Sequence, residues 1–193
     1  MKIVIQLVLL AIACVLGYLI YDGIQSKIEF KEEAQSRENV VHTRLENIAE
    51  AQKQFKAEKG RYAGSFSELL NFLNNDSLTI VKAIGNVPDT LTEAEAVAQG
   101  IVIRDTSLVP ASTIFPEGFA IDSLPIVPFS KGATFEMKAD VIEKNKVNVN
   151  VFEAYTTLEE VYTGLKTKSE NVDLEDRVQI GSLTEPITTG NWR

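Results

Sequence analysis

"IVIQLVLLAIACVLGYLIY", residues 3–21, contains no charged side chain and a single amide, Gln6, in an otherwise apolar run. About 20 such residues, wound as an α-helix, match the hydrocarbon thickness of a bilayer. A helix of a soluble protein rarely stays apolar on every side for that length. The stretch is therefore expected to span a membrane once, with Ile3, Leu7, Leu10, Cys14 and Leu19 among the lipid-facing residues. Lys2 precedes the run and Asp22 follows it. Positive charge is retained on the cytoplasmic side, so the expected orientation has the N-terminus in the cytoplasm and the remainder exported. Two other fates of this segment fit less well. A cleaved signal peptide has a shorter apolar region, and cleavage at Ala11-Ile12-Ala13 would leave the apolar residues Val15–Ile20 behind. "AIAC", residues 11–14, has the outline of an acylation site at Cys14, but the same apolar residues follow it in place of a polar tether.

Downstream of the span, residues 25–59 contain neither Pro nor Gly. Ala34, Val41, Leu45, Ile48, Gln52 and Phe55 recur at spacings of three, four and seven, which predicts a narrow helical stripe flanked by charges of both signs. Val41, Leu45, Ile48 and Phe55 are the candidate packing seam toward neighbouring helices or toward the chain's own domain. Span and stripe together predict one helix over residues 3–59, on the order of 85 Å long, in which Asp22-Gly23 is the one expected point of bending. Lys53, Lys56 and Lys59 complement the negative end of the helix dipole, and Gly60 supplies a left-handed stop. This divides the chain into a signal anchor at 1–24, an amphipathic stalk at 25–60 and an exported α+β domain at 61–193.

That domain is predicted from its punctuation. Ser65 and Glu68 form a capping box that opens a short helix through Leu69, Leu70, Phe72 and Leu73, and the pairs Thr92/Glu95 and Thr157/Glu160 repeat the device for a helix that Gly100 ends and for a short one near 158–164. Residues 77–85 and 101–109 are β-branched runs suited to strands, and Asn86–Asp89 turns out of the first. Four prolines between 110 and 131 predict an irregular covering loop with a short edge strand inside "GFAIDSL", 118–124. Alternation places Phe135, Met137, Ala139 and Val141 on one strand face and Val147, Val149 and Val151 on the next. For both sets to share one face, the pairing must run through a three-residue loop, Glu143-Lys144-Asn145, with Asn145 left-handed. Val178 and Ile180 predict a last strand, and Trp192 a surface anchor. The expected fold class is α+β: a transmembrane helix, a long amphipathic helix, then a small antiparallel sheet with short helices.

Composition narrows the function. The net charge of -8 is concentrated beyond Tyr62, where nineteen acids face ten bases, a distribution that repels nucleic-acid backbones. Cys14 is the single cysteine, so no intramolecular disulfide forms. His42, the single histidine, lies beside the stripe with no metal-ligand spacing around it, and is expected to be solvated or at the seam edge. Glu159-Glu160 belong to a helix first turn, and "DLEDR" lacks the ligand count and glycine of a calcium loop. The glycines stand singly, without a phosphate-cradling pattern. The expectation is a non-enzyme with no cofactor and no bound metal. Its partners are the lipid bilayer and other membrane subunits, or a second copy, met through the helix seam; no nucleic acid or small-molecule substrate is expected.

An apolar helix that continues into an amphipathic one and then into "IAEAQKQFKAEKGRYAGSFSELLNFL", residues 48–73, resembles the spine region of type IV pilins and the pseudopilins of type II secretion systems. In that family the helix ends near a "GRY" or "GxY" turn and leads into an antiparallel sheet. The resemblance covers about the first 75 residues. It implies a bacterial inner-membrane protein with a periplasmic domain, serving as a structural or assembly subunit of a secretion or pilus-like machine. The family's leader ends in Gly before a Phe or Met, with a Glu at the fifth mature position. "MKIVIQLVLL" has neither, so an unprocessed anchor is expected. An anchored adaptor that binds a partner through the 110–131 loop, outside any filament, is the alternative.

Overall fold

The computed structural model describes residues 2–84, 92, 95, 103–165 and 172–192. It is α+β, with a long N-terminal helix, short helices and two small antiparallel sheets. Helix α1 runs without interruption over Lys2–Lys59, through both Gly17 and Gly23. Neither glycine meets another group within 4 Å of where a Cβ would lie. No proline falls inside α1, and an unbroken amide ladder needs only that every residue accept helical φ and ψ, which glycine does at a modest entropic cost. Gly60 ends the helix at φ 75°, its amide donating to the Lys56 carbonyl at 2.9 Å.

Contacts group the chain into two compact units, neither continuous in sequence. One holds residues 1–43, 126–134 and 156–178; the other holds 44–125, 135–155 and 179–193.

In the second unit, helix α2, Phe66–Asn75, starts at Ser65, whose Oγ accepts from the Glu68 amide. Leu69, Phe72 and Leu73 form its buried face, and the Phe72 ring meets Phe55 of α1 edge-on at 5.1 Å. Strands β1, Ser77–Ile84, and β2, Ile103–Pro110, pair antiparallel from Ser77↔Pro110 to Ile84↔Ile103. The turn predicted at 86–89 and residues 96–102 lie outside the described residues. Of the predicted 92–100 helix, the capping box itself is described: the Thr92 amide and hydroxyl both donate to Glu95 at 2.8 Å, and the Glu95 amide returns to Thr92 Oγ1. The expected edge strand within 118–124 is instead a 3₁₀ turn, Ile121–Ser123, preceded by another at Ala111–Ile114. Local i→i+3 bonds, Ser123 N to Ala120 O and Leu124 N to Ile121 O, take the amides a strand would have presented to a neighbour.

Strands β3, Glu136–Lys144, and β4, Val147–Thr157, form with β5, Arg177–Gly181, a sheet of order β3-β4-β5. Here the structure corrects the predicted hairpin. The register runs from Glu136↔Tyr155 to Lys144↔Val147, and the connection is two residues, Asn145 and Lys146, both at positive φ (53° and 65°). Two successive left-handed residues make a type I′ turn, whose twist matches that of the strands. The parity argument failed because β4 is buried on both faces over its second half, at Val151, Phe152, Ala154 and Tyr155. Met137 and Ala139 therefore share a face with Phe152 and Ala154, not with the odd-numbered valines. The outer apolar residues Val141 and Val147 are left more than half exposed.

The first unit contains a short helix α3, Leu158–Val161. The predicted Thr157/Glu160 box is not made, and the helix is shorter than its expected extent of 158–164. The amides of Leu158 and Glu159 donate to the carbonyls of Asp176 and Leu174, so backbone from the 172–176 segment satisfies two donors of the first turn. Val178 and Ile180 are buried on β5 as expected, and Trp192 is half-buried, its ring over Gly190.

Candidate functional site

α1 carries the residues singled out from the sequence, and it treats its two ends differently. At the N-terminal end, Ile3, Leu7, Leu10 and Leu19 are exposed to between 58 % and 72 %, and Cys14 is exposed as well. Every described residue from 2 to 29 is exposed. By length and composition this is one helix fit to cross a membrane. Tyr18 and Tyr21 stand at its C-terminal edge, where amphipathic rings favour the headgroup level.

At the other end the stripe is closed. Val41, Leu45 and Ile48 are fully buried and Phe55 is 2 % exposed. The candidate packing seam toward other subunits is therefore filled by this chain's own side chains. The apolar stripe of an amphipathic helix is satisfied by whichever apolar surface reaches it first, and a tethered domain is always the nearest.

One polar member of the stripe has a role the spacing does not reveal. Gln52 is fully buried. Its Nε2 donates to the Ala63 carbonyl at 2.9 Å, and its Oε1 accepts from the Ala63 amide at 2.8 Å. The side chain thus mimics a β-ladder partner and fastens the turn after α1 back onto the helix. Met137 Sδ lies 3.0 Å from the same Nε2. Arg61 and Glu68 reinforce the turn from outside: the guanidinium donates to both carboxylate oxygens, and the Gly64 amide donates to Glu68 at 3.0 Å. The bond from Arg61 holds the Glu68 carboxyl below the usual carboxylate range. The "GRY" stretch is completed by Tyr62, whose ring tilts onto Phe152 at 4.7 Å beneath Lys56 Nζ.

No family model, characterised protein or solved structure matches this chain.

Arginines at the stripe edges were not anticipated. Arg44 donates to the Ser123 carbonyl at 2.6 Å and to its hydroxyl at 2.9 Å, and lies over the Phe119 ring; burial pulls its pKa down. Arg37 donates to the carbonyls of Val161 and Thr163, which ends α3, and stacks on Phe129. Basic residues one position off an apolar stripe are the sequence signal for this, since their stems lie along the buried surface while the guanidinium reaches backbone carbonyls.

The same part of α1 meets Tyr162. Its ring packs edge-on against Phe30 at 5.7 Å, and its hydroxyl donates to the Glu38 carboxylate. Burial, then the bond to Glu38, pushes the Tyr162 phenol up from its ordinary value. A raised folded pKa favours the neutral phenol. The linked stability is complete below the unfolded value of about 10 and is lost as pH rises through the folded one. The expected result is a melting temperature that falls above about pH 10 in the native chain and falls less in Tyr162→Phe, measured by thermal scans across alkaline pH. Equal alkaline loss in both proteins would show that this pair contributes nothing.

Two grooves among the described residues show no convergent catalytic set. A groove of about 440 Å³ in the 112–121 loop is lined by Phe115, Phe119 and Ile121 with Glu117 as its one ionisable group. A smaller one is lined by Glu46, Glu50 and Lys53 of α1 and by Thr188–Gly190. Among the described residues, no group of three or more His, Cys, Asp and Glu side chains is placed to hold a metal ion. His42 is half-buried beside the closed stripe.

Proposed function

We propose that this chain is a single-pass membrane-anchored structural or assembly subunit of a bacterial cell envelope, with the N-terminus in the cytoplasm and the α+β domain exported. The observation that carries this reading is the contrast within α1: an apolar stretch, Ile3–Tyr21, whose side chains are exposed all round, continues into a stripe that the chain itself buries. An exposed apolar surface of that length is stable only in lipid. Lys2 before the span and Asp22 after it support the orientation. The closing of the long helix stripe by the chain's own side chains and the single apolar span support a role in assembly. Because Val41, Leu45, Ile48 and Phe55 are occupied within the chain, contact with other subunits falls to the span and to the domain surface.

The full chain, expressed in a bacterium, is expected to stay in the membrane pellet after an alkaline carbonate wash. Its domain is expected to be digested by protease added outside the cytoplasmic membrane. Leu10→Arg places a charge mid-span at a cost of about 3 kcal/mol and should release a large share of the chain from the pellet. Wild-type protein that washes off, or a domain protected from external protease, would overturn the anchor or its orientation respectively.

A further inference from the structure

The apolar surface of α1 does not end with the span. Ile24 and Ile28 continue it beyond Asp22, with 56 % and 45 % of their surface exposed. At 100° per residue, Ile20, Ile24, Ile28 and Lys31 fall within about 80° of one another around the helix, with Lys27 at the margin of that arc. Asp22, Glu29 and Glu33 lie on the opposite side, about 140–180° from Ile24, and Glu32 lies between, at about 80°. Phe30, which meets Tyr162, and the buried Ala34 are about 80–120° round in the other direction, so the chain leaves the Ile24 face open. Beyond Lys31 the same line carries Gln35 and Glu38, which ends the face after two turns. Apolar and basic side chains thus share one short surface, and the acids are kept off it.

Lys27 and Lys31 lack a counterion within the chain. They stand four residues apart, a spacing at which like charges repel along a helix. The other positions three or four residues from them hold Gly23, Ile24, Ile28, Phe30, Ala34 and Gln35, none of them acidic. Among the described residues neither lysine has an acidic partner, whereas Arg37, Lys53 and Lys59 of the same helix pair with Glu33, Glu50 and Asp76.

Depth decides what meets this face. Upright, Ile3–Tyr21 covers about 28 Å of hydrocarbon, and Ile28 and Lys31 stand about 10 and 15 Å beyond it. The headgroup layer of one leaflet is only about 5–7 Å deep, so both would be left in water. Counted along the isoleucine face, the apolar surface runs from Ile3 to Ile28, about 39 Å, and a span longer than the hydrocarbon is accommodated by tilting. A lean of about 40° toward that face fits it into about 30 Å of hydrocarbon. The lean lowers both ammonium groups to the level of the lipid phosphates, on stems that lie along the isoleucines, and lifts Asp22, Glu29 and Glu33 toward water. Phosphate beside ammonium is then the counterion that the helix itself does not provide.

We propose that α1 leaves the bilayer leaning on the face of Ile24 and Ile28, and that Lys27 and Lys31 on that face bind the phosphates of anionic phospholipid headgroups. This rests on the membrane-anchor reading above.

The test uses the full chain with Cys14→Ala, reconstituted in vesicles of phosphatidylcholine alone or mixed with phosphatidylglycerol. A nitroxide is attached to a single cysteine in Ile24→Cys, Ser26→Cys, Ile28→Cys or Glu29→Cys, and its accessibility to oxygen is compared with that to an aqueous nickel chelate. Positions 24 and 28 are expected to be immersed in lipid, and 26 and 29 to face water. Phosphatidylglycerol is expected to raise the ratio of immersed to water-exposed label at position 28 about fivefold for each lysine engaged. Lys27→Gln combined with Lys31→Gln is expected to remove that rise while the chain stays in the vesicles. Equal water exposure at 26 and 28 overturns the lean. A phosphatidylglycerol effect that is absent, or that persists without the lysines, overturns the phosphate site. Failure of the chain to float with vesicles overturns the anchor itself and is read separately from the labels.

Discussion

Gly181→Ala is expected to destabilise the protein by about 3 kcal/mol or more, among the largest effects of any single methyl addition in this chain. Gly181 ends β5 at φ 77°, a region that side-chain-bearing residues enter only with strain. A Cβ built there would lie 2.3 Å from the Phe152 carbonyl oxygen, which is backbone of the central strand and cannot swing away. The Gly181 amide meanwhile donates to Thr189 at 3.1 Å, which fixes the segment from its other side. Relief would require β5 to separate from β4 or the tail to detach. Urea denaturation of the full chain in detergent, followed by tryptophan fluorescence, would measure it; Trp192 reports directly on the tail. A midpoint within experimental error of wild type would mean that the strand end relaxes without cost.

Gln52→Leu follows closely. The substitution conserves much of the volume and leaves the Ala63 amide and carbonyl both unpaired in a buried site, at about 1–3 kcal/mol for each group. An expected total of about 2–6 kcal/mol exceeds the gain from the added apolar surface. Gln52→Glu separates the two bonds: its carboxylate can still accept from the Ala63 amide but faces the Ala63 carbonyl with no donor. At neutral pH it should be the worse of the two, and it should recover as the medium is acidified and the carboxyl gains a proton. Native-state hydrogen exchange at Ala63 gives an independent reading, since its amide is expected to lose protection in Gln52→Leu. Retained protection with unchanged stability would show that the latch is incidental.

What was legible in the sequence follows from how local each signal is. The course of α1, its stop at Gly60 and the start of α2 at Ser65 depend on residues within one turn of each other, and they appear as read. The strand locations around residues 77, 103, 136, 147 and 177 were also legible, because β-branched runs and alternation are short-range. The hairpin connection was not. Alternation assigns a face only where one side of a strand is solvated, and β4 is buried on both sides near Phe152 and Tyr155. Thr157 misled for a related reason: its box pattern is sound locally, but the helix start is held by the distant carbonyls of Asp176 and Leu174, which accept from Leu158 and Glu159, and the Thr157 side chain makes no cap. The stripe from Val41 to Phe55 was legible as a packing surface, whereas its occupant was not, since periodicity records that a face is covered and not by what. Gln52 stood in the stripe as an apparent imperfection; its pairing with Ala63 depends on the chain returning at a fixed distance after Gly60.

The Gln52 contact with Met137 spans 85 residues of sequence, and the Asn150 bond to the Gly60 carbonyl spans 90. A ribosome releases the N-terminal residues first, so the apolar stripe of α1 emerges long before the strands that complete its surroundings. Until β3 and β4 have been synthesised and have left the exit tunnel, Gln52 lacks Met137 and Tyr62 lacks Phe152, while Phe55 can already meet Phe72 of α2. Synthesis of this chain thus passes through an interval in which α1 is only half covered, and the distance between Gln52 and Met137 along the chain sets how long that interval lasts.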